Sequence, residues 1–412
     1  MRDHLIGLVV AGLVLAVSYI GIEYLAGRDL VAQEPEDLRT TQELIEVLDT
    51  KESTEEERLS ALIQLGKSKD DLDIVVPLLC KWNMAGKSVY SQACSMALAE
   101  IGDDAVEHVK PFFESKFETN EYDQIKNLRE IRSDRSVGCA AVQALGDRCS
   151  DCLPEIQRMV QHEEKSLRFC GLFALRGMDQ GAAESLDMVI VCLKDEDFNN
   201  QCQACRIVER LGPKAAKAEP VLQELLVKGN PSVRGWAAIC LGAIGPSPSK
   251  TDNASLLAKN LKNASPVEIS RILKGLALIG PDAKHVADQV RSQLENWDRD
   301  VQANAAFALW KIDNDIDLAC STIKSLLTQE GYEQDGLEMA MKMGPDAECL
   351  ITQIRSRATD EDALTRERVA LALGAIGKSA KQAIPTLQTM LKDEDPIVRK
   401  VAEDAIAKIN VE

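Results

Sequence analysis

RERVALALGAIGKSAKQAIPTLQTMLKDEDPIVRKVAEDAIAKI (366–409) holds two helices of one kind, with a different helix between them. The first run stops at Gly377, and glycine is the residue that tolerates a left-handed position after a helix. Leu373 and Ile376 stand four and one residues before that stop, with the small Ala372 beside them. Offsets of one, four and five trace a single apolar helix face. PTLQTML then opens at Pro385, eight residues past the glycine. Asp395-Pro396 follows as an N-cap and first helical residue, and the second run reaches Ile409 and Asn410. The unit is therefore helix, short turn, helix, glycine.

The same punctuation recurs along the chain. LGK, IGD, LGD, LGP, IGP, IGP and IGK place glycines at Gly66, Gly102, Gly146, Gly212, Gly245, Gly280 and Gly377; Gly177 and Gly344 fit between them, and Asp313 and Asn410 fill two remaining slots. The spacing is about 33 residues, the period of a helical repeat array. Caps precede the second helices at Asp197, Asn230, Ser265, Asp298, Asp362 and Asp395, and PEIQRMV at Pro154 and PVLQELL at Pro220 repeat the signature of the first helix. The fold class expected is all-α: a right-handed α-solenoid of about ten helix-turn-helix repeats, HEAT- or armadillo-like. It runs over 41–412, with an enlarged repeat at 103–146 whose extra residues fall in 114–134.

These segments resemble HEAT repeats, specifically the short form named after phycobilisome lyases. Arg234, Arg366 and Arg399, four residues after their caps, are similar to the arginine that links successive repeats in that family, which implies bonds to the preceding cap or the neighbouring turn. The resemblance also supplies an enzyme-class alternative, a chromophore-lyase-like activity. A repeat array offers a long concave surface for binding, and function has to be argued from sites on it.

Composition narrows those sites. The 412 residues carry 48 basic and 66 acidic side chains, a net charge of −18, and aromatics are only 4%. That balance lacks the basic footprint nucleic acid requires, so no nucleic-acid partner is expected. The core has to be aliphatic and rich in alanine. The run LIGLVVAGLVLAVSYIGI (5–22) reaches about 27 Å as a helix, close to a bilayer core. Residues 1–27 are read as a membrane anchor or signal segment and 28–40 as a linker. The expectation is a single-pass membrane protein with its body on the extracytoplasmic side; a secreted, untethered form after signal cleavage is the alternative.

Chemistry is scarce. Four histidines are present and no His-Glu-x-x-His pattern occurs. Gly-Lys-Ser at Gly66, Gly86 and Gly377 lacks the glycine a P-loop needs five residues earlier. Cys149/Cys152 and Cys202/Cys205 form two CxxC pairs too far apart for an ordinary zinc site. Cys139, Cys170 and Cys205 stand where other repeats have alanine and read as inert core. His162 reads as an N-cap. No enzyme activity, cofactor, metal or small-molecule substrate is expected. The candidate partner-binding groove is the phase nine residues before the stop signal, which holds Arg168, Trp236, Arg271 and Arg368. Trp and Arg are the side chains that most often anchor interfaces, and the expected partners are proteins.

Overall fold

The caps form where the spacing puts them. The carboxylates or amides of Asp197, Asn230, Asp298, Asp362 and Asp395 accept backbone N–H groups from the first turn of their own helices. Ser265 stands at the cap position but its hydroxyl makes no such bond. Thr40 and Thr54 add two capping boxes, with Glu43 and Glu57 reaching back to the cap. His162 is not a cap: Glu164 holds that position, and His162 Nδ1 accepts the Glu164 N–H at 2.9 Å.

The computed structural model describes residues 39–412 apart from 69–70, 84–87, 115–134, 246–250, 330 and 411–412. Helices of seven residues or more are numbered in chain order. They are α1 Thr41–Asp49, α2 Glu55–Lys67, α3 Leu72–Asn83, α4 Ser88–Ile101, α5 at 135–145, α6 Leu153–Val160, α7 Lys165–Leu175, α8 Leu186–Cys192 and α9 Phe198–Leu211. Then come α10 Glu219–Lys228, α11 Pro231–Ile244, α12 Asn253–Lys259, α13 Pro266–Ile279, α14 Arg299–Asp313, α15 Ile316–Leu327, α16 Glu333–Met343, α17 Ala363–Ile376, α18 Ile384–Met390 and α19 Pro396–Asn410. No strand occurs among the described residues. The fold is an all-α solenoid.

The chain divides into two compact units, at Val221 and Leu222. In the first, α2 packs on α4 and α7 on α9. In the second, the helices α11, α13, α14, α16, α17 and α19 pack in series, each on the next. Their core is aliphatic and alanine-rich, with Ala303, Ala305, Ala306 and Ala308 of α14 all buried. Small residues set the approach: a Cβ on Gly275 of α13 would strike the Ala238 carbonyl of α11. The residues of the extra segment 114–134 lie outside the described residues, except Glu114 at the end of a short helix, Pro111–Glu114.

The stop signals need correcting in detail. Gly280 has φ +67° and ψ −137°. That is the mirror of the extended region, open essentially to glycine alone, not the left-handed helical region where Asn and Asp are tolerated. Substitution of Asp for Gly at such a stop is therefore not equivalent: Asp313 is the last residue of α14, and Asn314 after it takes the left-handed helical conformation, φ 56° and ψ 34°. Asn410 likewise ends α19 inside the helix. Gly66 and Gly177 do not have positive φ. They serve close approach instead, Gly66 against Ala97 and Gly177 against the Gln143 backbone.

The expectation of a single-pass membrane protein is corrected here. Among the described residues no helix is long and apolar enough to cross a membrane. The longest, α14 and α19, have 15 residues, and at 1.5 Å per residue reach only about 22 Å. The run 5–22 lies outside the described residues.

Candidate functional site

Counting from caps rather than glycines sorts the four candidate side chains. Arg168 falls four residues after its cap, Glu164, and so belongs with Arg234, Arg366 and Arg399. It is placed accordingly. Its Nε and Nη2 donate to the Asp195 carboxylate at 2.6 and 2.9 Å, and its Nη1 donates to the carbonyls of His162 and Glu163. Arg366 repeats the pattern with Asp393, at 2.8 Å for both bonds, and with the carbonyls of Asp360 and Glu361. Arg234 pairs with Glu268 and the Gly229 carbonyl, and Arg399 bonds the carbonyls of Asp393 and Glu394. Arg168 and Arg366 thus tie one inter-helix turn to the next, Arg234 ties its turn to the first turn of α13, and Arg399 holds its own turn. The miscount has a physical origin: α7 stops at Leu175, so Gly177 is not its terminal stop.

A sequence signal for this ladder exists. Asp195-Glu196-Asp197 and Asp393-Glu394-Asp395 are the same triplet, ending at the cap. The first Asp takes the arginine of the preceding repeat and also accepts the cap's own N–H, at 2.9 and 3.0 Å. Burial pushes the Asp195 carboxyl up, but hydrogen bonds from Arg168, Asp197 and Asn200 outweigh it and hold the group low. For Asp393 the Arg366 hydrogen bond dominates and the carboxyl is held below its ordinary range.

Trp236 and Arg271 are brought together in the second unit. They sit on α11 and α13, both half-buried, with the guanidinium 5.0 Å from the indole centroid, within cation–π range. Arg271 Nη1 donates to the Ser232 carbonyl at 3.2 Å, and its stem lies over Gly235, where a side chain would collide with it. Along α13, Val267, Arg271, Lys274 and Leu278 follow helical spacing and share one face. Val267 and Leu278 are 63% and 52% exposed. Arg368 occupies the same phase on α17, below Leu364, which is 37% exposed.

The intervening helices carry carboxylates on that phase. Asp300 lies on α14, and Asp335 and Glu338 on α16. Burial, then Asp300 and Glu338, raise the Asp335 carboxyl, with Arg368 and Lys274 opposing. Burial also raises Asp300. Arg368 is thus set against carboxylates, and of the three candidates in the second unit Trp236 and Arg271 are the two brought together.

The cysteines divide in an unanticipated way. Cys320 of α15 and Cys349, in the 3₁₀ turn Gly344–Leu350 of the next repeat, form a disulfide with Cα atoms 6.4 Å apart. Cys139 and Cys205 are buried, and Cys170 is half-buried against the Ser136 hydroxyl. Cys149 and Cys152 are buried in the 3₁₀ turn Gly146–Cys152, where burial pushes their thiols up to about 12 and about 11. Among the described residues no group of three or more His, Cys, Asp or Glu is placed to hold a metal ion. Replacing Cys139 or Cys205 by Ala is expected to cost about 1 kcal/mol each, the range of a small core truncation. Rapid native labelling of either thiol by a maleimide contradicts that placement.

An α-solenoid of two-helix repeats is the class these features define. Residues 186–277 and 337–410 match the family model described as HEAT repeats. The match is to HEAT repeats at large and does not reach the phycobilisome-lyase form. A crystal structure of the karyopherin Kap121p bound to the extreme C-terminus of the protein phosphatase Cdc14p is similar, with TM-score 0.45 and 13% identity; the likeness covers 93% of this chain and 46% of that one. A homology model of the full-length AP-3 complex in an intermediate open conformation gives 0.43 and 12%, covering 86% and 72%. The chain thus spans less than half the length of the karyopherin. No curated protein matches the sequence.

Proposed function

We propose that this chain is a non-catalytic scaffold that binds protein partners through the exposed face of its second helices, centred on Trp236 and Arg271. The observation that carries the reading is the line Val267, Arg271, Lys274, Leu278 beside Trp236. Two exposed aliphatic side chains bracket two cations on one face of α13. Aliphatic side chains left in water at that spacing gain by burial against a partner, about 25 cal/mol per Å² of apolar surface removed from water. Arg271 is already positioned by the Ser232 carbonyl and the indole, so it loses little freedom on binding.

The test needs a partner in hand, recovered with residues 40–412 as bait, and two variants. Trp236→Ala is expected to weaken that complex by about 1–2 kcal/mol while the helical melt stays nearly unchanged. Arg271→Glu is expected to slow association and flatten its salt dependence. If Trp236→Ala lowers the melting temperature and leaves affinity per folded molecule intact, the indole is packing between repeats and the reading is wrong.

A further inference from the structure

In the second unit a cavity of about 200 Å³ lies between the start of α14, the body of α15 and the 3₁₀ turn Ser292–Glu295. Leu294, Leu318 and Leu326 give it apolar walls. Leu318, Thr322 and Ser325 follow one face of α15 at spacings of four and three. The Ser321 and Thr322 hydroxyls also line the cavity; both donate to the Leu318 carbonyl, at 2.9 and 3.0 Å, which leaves their oxygens as acceptors in its wall. A site for a free small molecule takes about 300–1,000 Å³. This one has room for a single side chain.

Arg299, the first residue of α14, is the one charged side chain among the eight that line the cavity. It is half-buried, and no carboxylate pairs with it among the described residues. Its Nη1 donates to Gln302 Oε1 at 2.6 Å, and Gln302 Nε2 donates in turn to the Asn296 carbonyl at 2.6 Å. This brace fixes the guanidinium and leaves its Nε–Nη2 edge without a partner among the described residues. Arg168 and Arg366 hold Asp195 and Asp393 with that same edge. A carboxylate accepts two parallel N–H bonds from it. Between Leu294 and Arg299 the chain carries Trp297, 82% exposed. An indole left so far in water adds little to the core of this fold and gains by burial when a partner covers it.

We propose that this cavity receives one apolar side chain of a partner peptide, while an acidic side chain beside it in that peptide takes the open edge of Arg299 and the peptide passes over Trp297. The site is separate from the Trp236 face, being built from α14 and α15 rather than α11 and α13. Charge complementarity selects the carboxylate, because the only charge in the lining is a braced and unpaired guanidinium. The volume selects one side chain, and the Ser321 and Thr322 oxygens accept main-chain N–H groups that a peptide brings. One cation on a chain of net charge −18 does not supply the extended row of phosphate contacts that a nucleic-acid strand needs. Trp and Arg are also the side chains that most often carry the binding energy of an interface.

The experiment is an anisotropy titration of the full chain with a fluorescein-labelled, C-terminally amidated peptide carrying a central Glu-Leu-Glu in a Gly-Ser background. Peptides with Gln-Leu-Gln, Glu-Ser-Glu and Lys-Leu-Lys in its place, and an oligo-dT, serve as comparisons. The Glu-Leu-Glu peptide is expected to bind, to weaken as salt rises, and to bind at least about fivefold tighter than any comparison. Arg299→Gln and Trp297→Ala are each expected to weaken it about tenfold. Trp236→Ala is expected to leave it unchanged, which separates this site from the face proposed above. Trp297→Ala removes an exposed side chain and is expected to melt as wild type does, so it keeps the test decisive if Arg299→Gln folds poorly; circular dichroism melts are run on every preparation. The proposal is overturned by no binding to wild type, by equal binding of any comparison peptide or the oligonucleotide, by a folded Arg299→Gln or Trp297→Ala that binds as wild type does, or by a loss confined to Trp236→Ala.

Discussion

Asp393→Ala is expected to cost the second unit about 3 kcal/mol, the lower end of the penalty for taking the main partner from a buried charge. Arg366 is 7% exposed, and both of its bonds to a carboxylate oxygen at 2.8 Å end on Asp393. The two carbonyls of Asp360 and Glu361 remain as acceptors, and the only charge left beside the guanidinium is the exposed Glu394 carboxylate at 3.4 Å, a weaker and solvated partner. Asp395→Ala removes only an N-cap two residues later, and is expected to cost about 1 kcal/mol. The contrast between neighbouring aspartates separates an ion pair from local helix capping. Replacing both partners by Leu is expected to recover most of the loss, since a buried pair and a packed apolar pair differ little. The pH dependence has a fixed sign. The Asp393 carboxyl is held low by Arg366, so its contribution is complete above the unfolded aspartate value, about 3.9, and disappears as pH falls through the lower folded value. Urea melts at pH 7 decide the matter; a loss below about 1 kcal/mol for Asp393→Ala means the pair is solvated and the turn ladder is not a stability element.

Periodicity made the architecture legible because a solenoid repeats its local chemistry. Each cap, each small residue and each stop had to solve the same packing problem, so Asp362 and Asp395 announced α17 and α19 with no knowledge of tertiary structure. The arginines four residues after their caps, Arg234, Arg366 and Arg399, were readable for the same reason. Register was harder. Gly177 has the sequence dress of a stop but serves as a flat surface against Gln143, and that single substitution of roles moved Arg168 into the wrong class. Nothing in one chain separates a glycine required for φ from a glycine required for space. The pairing of Trp236 with Arg271 was visible as shared phase, whereas the acidic side chains around Arg368 come from α14 and α16 and appear only once the helices are set side by side.

Breaking the Cys320–Cys349 disulfide is expected to destabilise the second unit by about 3–4 kcal/mol, the loop-closure figure for a separation of 29 residues. Equivalent positions in neighbouring repeats stand about 10 Å apart, beyond the reach of a disulfide. These two cysteines escape that limit because they are not equivalent. Cys320 lies in the body of α15, while Cys349 lies in the 3₁₀ turn that begins the next repeat's first helix, and the offset brings their Cα atoms to 6.4 Å. The crosslink joins first helices, where the arginine ladder joins turns, so the two devices restrain different edges of adjacent repeats. In a linear array such a clamp couples the stabilities of its two repeats and little beyond them. Cys320→Ser with Cys349→Ser is therefore expected to split the melt, with an early transition from the residues around α15 and α16. Thiol counting gives the first check: denatured, unreduced protein is expected to titrate ten of its twelve cysteines, and all twelve after reduction. A count of twelve before reduction, or a double serine variant that melts as wild type does, removes the disulfide from the account of this fold.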